Sequence, residues 1–228
     1  MTRKGLAASA LALLVMAALS GWSWIATPSG AEIALHWGLS GEVNRTAGKA
    51  EALLILPAIT LGLCALLAAA PHIDPRGRNL KASAPVFLTV WTGLLIVLTV
   101  THGLIALGAA GVVNPSDGGV VRFVLGGVAL FIAVIGNLLG KARPNWFLGV
   151  RTPWTLSSDK AWDVTHRWAG RGFVASGLAG AALTAFAPAE LAAAVFTIAL
   201  TLTAFGAILL SFLVWRSDPS REIFNEES

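Results

Sequence analysis

Residues 143–168 read RPNWFLGVRTPWTLSSDKAWDVTHRW. Four tryptophans stand here among arginines, prolines, two aspartates and a histidine, between runs built from Ala, Leu, Val and Gly. Reading this stretch decides the fold, because it either belongs to a soluble core or joins two membrane spans. Composition favours the second. Of 228 residues, 56% are hydrophobic and 12% charged, about half the charged fraction of a soluble domain. Tyr is absent while Trp occurs nine times, and an indole suits a membrane interface because its ring is apolar and its N–H still seeks a partner.

Working outward, six apolar runs are predicted as spans, at 6–26, 52–70, 85–110, 120–140, 169–188 and 190–215. Each is near the ~20 residues that cross a bilayer. The first follows Arg3 and Lys4, as a signal peptide would, but it exceeds the usual 7–15 apolar residues of such a segment. It ends in Trp22 and Trp24 without a small-residue cleavage site, so it reads as a retained span.

The cationic residues set the orientation. With the N-terminus inside, Arg3, Lys4, Arg76, Arg78, Lys81, Lys141, Arg143, Arg151, Lys160, Arg167, Arg171, Arg216 and Arg221 lie on the inner side. Arg45, Lys49 and Arg122 remain outside. This asymmetry accounts for the net charge of +4 without any nucleic-acid partner. The sole cysteine, Cys64, lies in an apolar run, which leaves no disulfide and no Cys-based metal site. The expected fold is an all-α membrane protein of six spans with both termini inside. Its expected units are a two-span domain with an outer loop (1–75) and a four-span domain (76–228). The linker 71–85 reads as a plain basic turn.

The quoted stretch divides in two. From residue 157 a helix is expected, capped by Ser157 or Ser158, with Asp159 favouring the positive end of the dipole. At 100° per residue, Asp159, Lys160, Asp163, His166 and Arg167 gather on one side. Ala161, Trp162, Val164, Thr165 and Trp168 take the other. Such a helix is predicted to be short, amphipathic and interfacial, lying in the headgroup layer with both Trp rings inserted before the fifth span begins. Asp159, Asp163 and His166 also suggest a metal or acid/base cluster. Their spacing matches no strong signature, and Lys160 and Arg167 flank them, so a solvated face is the preferred reading. No H-E-x-x-H, G-x-S-x-G or phosphate-loop pattern occurs. No catalytic residue, metal or cofactor is expected, and the chain is not read as an enzyme.

The first half, RPNWFLGVRTPW, cannot be a regular helix, since Pro144 and Pro153 forbid one. Lys141, Arg143, Arg151, Trp146 and Trp154 suit an anchor on membrane lipids. An anchor does not explain the rigid proline corners or the hydroxyls Thr152, Thr155, Ser157 and Ser158. Taken together, GNLLGKARPNWFLGVRTPWTLSSDKAWDVTHRWAGR (136–171) closely resembles the signature of the SdpI family of bacterial membrane proteins. HWGLSGEVNRTAGK (36–49) with LLILP (53–57) is similar to a domain of unknown function that often precedes the SdpI region. His36, Gly41, Lys49 and Pro57 match its pattern, while no proline closely precedes His36 and Asn44 stands where Asp is usual.

The resemblance implies a multi-pass protein of the bacterial cytoplasmic membrane, acting in immunity or signalling. Its implied partners are an extracellular toxic peptide and a cytoplasmic winged-helix repressor, with no direct contact to nucleic acid. It implies an inner binding surface at Asn137, Lys141, Pro144, Asn145, Arg151, Thr152, Trp154, Thr155, Trp162, Thr165, His166 and Arg167. An outer one is implied at His36, Trp37, Gly41, Glu42 and Lys49. The alternative is a small transporter or membrane-embedded enzyme acting on a lipid or peptide, suggested by His102 within a span. For His102 itself, a neutral imidazole bonded to a neighbouring span is the plainer expectation.

Overall fold

The computed structural model describes residues 1–40 and 42–221. In chain order its elements are α1 (Thr2–Ala26), β1 (Ile33–Trp37), β2 (Val43–Ala47), α2 (Lys49–Ile73), α3 (Gly77–Ala82) and α4 (Ala84–Ala109). There follow α5 (Gly118–Leu139), α6 (Pro153–Leu156), α7 (Asp159–Phe186) and α8 (Ala189–Arg216). Among the described residues, α1, α2, α4, α5 and α8 are long and apolar enough to cross a membrane. Leu11, Leu14, Ile59, Leu202 and Phe205 are exposed along them. In water these surfaces would be a liability; in lipid they are solvated. The chain is a multi-pass membrane protein.

Two helix groups form the bundle. In the first, α1 presents a stripe of Gly5, Ser9, Ala12, Met16, Ser20 and Ser23 to its neighbours. Lipid gives no hydrophobic drive for helices to associate, so close packing and interhelical hydrogen bonds take that role. Gly5 lets the Trp91 ring of α4 lie against the α1 backbone, where a Cβ would come within 2.6 Å of it. Trp91 Nε1 then donates to Ser9 Oγ at 3.0 Å, and Ser23 Oγ donates to the Ala106 carbonyl at 2.9 Å. Between them, His102 Nε2 lies 2.9 Å from Ser20 Oγ and 3.2 Å from the Met16 carbonyl. Ser20 Oγ itself donates to the Leu53 carbonyl of α2 at 2.7 Å. That carbonyl is free because the residue four positions on, Pro57, has no N–H to give it. His102 is fully buried and bonded across helices, as its plainer reading expected.

In the second group α7 lies between α5 and α8. Gly136 and Gly170 bring the α5 and α7 backbones together, each Cα lacking a side chain where the other's carbonyl oxygen passes at 2.7 and 2.6 Å from an ideal Cβ. The last predicted run, 190–215, falls within α8, and 169–188 covers the second half of α7. The expected interfacial helix is corrected: α7 continues unbroken through residue 168. Trp162, Thr165, His166, Ala169, Gly170 and Gly177 form one buried stripe along its length. The first half packs Trp162 with Phe87, Ala142 and Leu148, and the second packs Ala169 with Leu139 and Ala207, so one buried face runs from the loop into the bundle.

The outer loop is corrected too. Within the 27–51 stretch, β1 and β2 form an antiparallel hairpin where the chain was expected to be all-α, with Ile33 opposite Ala47 and Trp37 opposite Val43. Ile33 packs with Ala52, Leu53, Ile105 and Ala106, which seats the hairpin on α2 and α4. The strand IALHW carries the β-branched and aromatic residues that a pleated, half-buried surface favours.

Candidate functional site

The loop between α5 and α7 is built from the inside out by buried polar groups. Asn145 has no exposed surface, and its Oδ1 accepts from the Phe147 and Leu148 N–H groups at 2.8 and 2.7 Å. Its Nδ2 donates to the Arg143 carbonyl at 2.7 Å, so one side chain makes the corner that Pro144 begins. The next bend places Gly149 at φ +98°. There a Cβ would strike the imidazole of His166, so both the backbone sign and the close approach require glycine.

His166 is the post around which this bend turns. Its Nδ1 donates to the Trp162 carbonyl at 2.8 Å, and its Nε2 accepts from the Val150 N–H at 3.0 Å. The neutral Nδ1–H tautomer satisfies both bonds. Burial pulls the imidazole pKa down to about 4, against the opposing effects of the Trp162 carbonyl and the Asp163 charge. The Trp162 ring stacks on it at 3.9 Å, and Trp162 Nε1 donates to the Ala142 carbonyl at 2.7 Å. With both nitrogens engaged, His166 has none left for a substrate or metal. Asp159 and Asp163 face outward while His166 faces inward, which separates the three members of the suggested cluster.

Thr152 and Thr155 close the loop as a capping box over α6. Thr155 Oγ1 also donates to the Val150 carbonyl at 2.7 Å, and Thr152 Oγ1 meets Ser211 Oγ of α8 at 3.0 Å. The Trp154 ring meets Phe212 of α8 edge-on at 5.2 Å. Ser158 accepts from the Ala161 N–H at 2.9 Å, capping α7, and donates to Asp218 Oδ2 at 2.5 Å. The Ser158 and then the Ser220 hydroxyls hold the Asp218 carboxyl below the usual carboxylate range.

The segment 74–83, read from sequence as a plain turn, is the cradle of this loop. Asp74 is buried and accepts from the Trp146 N–H at 3.0 Å and the Arg76 N–H at 2.7 Å. Arg76 Nη2 donates to the Leu156 carbonyl, and Asn79 Nδ2 to the Pro144 carbonyl, each at 2.8 Å. Ser83 Oγ accepts from the Arg143 N–H at 2.9 Å. Sequence reasoning missed all four residues. The only local hint was an acid, an amide and a hydroxyl in an otherwise basic turn.

The predicted inner residues therefore sort by exposure. Asn145, Thr155, Trp162, Thr165 and His166 are buried, and Pro144, Thr152 and Trp154 are partly covered. The buried five shape the loop from within, which corrects their expected place on its surface; for Trp162 it replaces the expected insertion into headgroups. Asn137, Lys141, Arg151 and Arg167 are exposed, as are Arg143 and Trp146. Arg151 Nη1 donates to the Trp146 carbonyl at 2.7 Å, which orders one cation of this basic face.

The outer residues collect at the opposite end of the bundle. His36 Nδ1 and Asn44 Oδ1 lie 2.5 Å apart across the hairpin, so the amide occupies the motif's usual carboxylate position as an acceptor. Glu42 is exposed and accepts from Ser40, whose hydroxyl holds the carboxyl below its ordinary pKa. Lys49 Nζ donates to the Trp24 carbonyl at 2.9 Å, which ties α2 to the end of α1. Trp37 is half-buried. Gly41 and the tail residues Glu226 and Glu227 lie outside the described residues.

Residues 141–215 match the SdpI/YfhL protein family, and residues 11–61 match a domain of unknown function, DUF1648. The chain is 34% identical over 94 residues to the immunity protein SdpI of Bacillus subtilis (strain 168). That alignment spans 41% of this chain and 42% of the relative, which is named for immunity and not for a reaction. No solved structure matches. The SdpI/YfhL match thus covers the pinned loop, α7 and nearly all of α8, and the DUF1648 match covers most of α1, the hairpin and the first half of α2.

Proposed function

We propose that this chain is an immunity and signal-transducing receptor of the bacterial cytoplasmic membrane, protecting its host from a secreted toxic peptide. The observation that carries this reading is the 34% identity to an immunity protein. In this reading the chain crosses the membrane six times with both termini in the cytoplasm, α7 supplying the fifth crossing from residue 169. The distribution of Lys and Arg supports that orientation, since the loops at the α3 and α6 end carry most of them.

The two ends then divide the work. The hairpin meets the peptide outside the cell through His36, Trp37, Glu42 and Lys49. The basic face of Asn137, Lys141, Arg151 and Arg167 meets a winged-helix repressor inside, with Trp154 beside it. Asn145, Thr155, Trp162, Thr165 and His166 hold that face in shape. The chain itself touches no nucleic acid.

The test is expression in a strain sensitive to such a peptide, comparing the wild type with His36→Ala and Arg151→Ala under challenge. The proposal expects survival with the wild type and loss of protection with His36→Ala. It expects Arg151→Ala to keep the cells alive but to abolish membrane retention of the repressor. Equal killing with and without the wild-type protein removes immunity as the function.

A further inference from the structure

We propose, on the immunity reading above, that the toxic peptide docks as an added strand along the free edge of β1, with one of its Lys or Arg side chains on Glu32. Among the described residues the sheet has two strands, so pairing with β2 uses only one side of β1. On the other side a crevice of about 260 Å³ separates residues 31–34 from the turn at Asn114, Pro115 and Ser116. No backbone hydrogen bond crosses it. Asn114 is exposed, so the crevice is reached from the aqueous side. Ile105, Gly108 and Ala109 line it from α4.

An extended chain suits this site. A strand edge offers N–H and C=O groups in a row, and a second chain laid beside it satisfies them. Alternate side chains of that chain point to opposite faces. One face meets the small and apolar residues of α4, and the other faces water.

Charge selects the occupant. The loops at the hairpin end carry Glu32, Glu42, Glu51, Asp117 and Glu190 against Arg45, Lys49 and Arg122. Arg45 is paired with Glu51, and Lys49 Nζ donates to the Trp24 carbonyl at 2.9 Å. Glu32 has no ion pair among the described residues. It also borders a second cavity, of about 330 Å³, which shares Ala31 with the first. An unpaired carboxylate on the wall, at an end of net negative charge, attracts a cationic chain and repels a second copy of this one.

The experiment uses the full chain in lipid nanodiscs, with the fluorescein-labelled peptide of the protection assay as probe. Fluorescence anisotropy reads binding of that peptide and of a form with Gln in place of Lys and Arg. Two further forms are N-methylated at alternate residues, in opposite phase. The protein variants are Glu32→Gln and Ser116→Trp, the second to fill the crevice. Glu190→Gln is the control, removing the same charge from the same end at an exposed site away from the crevice.

Glu32→Gln should weaken binding roughly ten-fold, the worth of one hydrogen bond between charged groups. Glu190→Gln should change it less than about two-fold, because salt screens a distant charge. The Gln-substituted peptide should lose affinity for the wild type and lose no more on Glu32→Gln. Ser116→Trp should abolish binding. One N-methylated form should bind like the parent and the other should fail, since only alternate N–H groups face the strand.

Strand docking is overturned, with immunity intact, if a protecting wild type does not bind the probe or if Glu32→Gln binds it equally. Equal tolerance of both N-methylated forms overturns it too, as does a dimer of this chain that Ser116→Trp dissolves. A wild type that neither binds nor protects removes the immunity reading and the docking together.

Discussion

The two ends of the bundle use polar residues in opposite ways. At the α6 end, Asp74, Asn145 and His166 are buried and bonded to the backbone of residues 146–150, a stretch with no helix or strand. At the hairpin end, Val43, Asn44, Arg45 and Thr46 are exposed, and only residues such as Ile33 and Ala47 anchor the strands. A loop without a repeating ladder must satisfy its N–H and C=O groups one at a time, with side chains brought from elsewhere. A hairpin satisfies them by its own pairing and leaves its side chains free. Polar side chains are scaffold at the first end and accessible surface at the second.

Substitutions should expose that asymmetry, and the largest effect is expected at Trp162. Trp162→Ala removes a fully buried ring and its bond to Ala142, and should cost about 3–5 kcal/mol. Denaturant titration of the purified protein reads it. A loss under 1 kcal/mol would show that the loop does not depend on its interior.

Acid should act next. His166 titrates at about 4 in the folded chain against an ordinary 6.5, so below 6.5 the unfolded chain takes up a proton that the folded chain refuses. The stability present at neutral pH should fall as pH drops from 6.5 to 4, by about 3 kcal/mol. His166→Gln should flatten that slope; an unchanged slope would place the sensitivity elsewhere.

Gly149→Ala comes third, at about 1–3 kcal/mol, from a left-handed backbone combined with a clash on the imidazole. The smallest effect belongs to the hairpin. Arg45→Ala breaks an exposed ion pair with Glu51 and should change stability by less than ~1 kcal/mol. A large loss there would erase the contrast between the ends.

What sequence could reveal followed the range of the forces involved. The membrane spans were legible because runs such as 52–70 and 190–215 are predominantly apolar over about 20 residues, as crossing a bilayer requires. The hairpin was not, since IALHW is short and its alternation is weak beside the helices around it. A helical wheel correctly put Asp159, Lys160, Asp163 and Arg167 on the open side of α7. It mistook His166 because a wheel shows which residues share a side and not what packs against it. The cradle was hidden for another reason. Asp74, Asn79 and Ser83 bond to residues 60 to 72 positions away, and no local pattern marks so distant a pairing.

Pro57 sets a key into the first helix group. By lacking one N–H it leaves the Leu53 carbonyl open near the start of α2, and Ser20 of α1 brings a hydroxyl to it. Sliding α1 by one turn, about 5.4 Å, would move Ser20 off that carbonyl and off His102 together. Lipid offers no water to heal either loss. The missing hydrogen bond thus acts as an index mark, selecting one vertical setting for three helices that greasy contact alone would let slip.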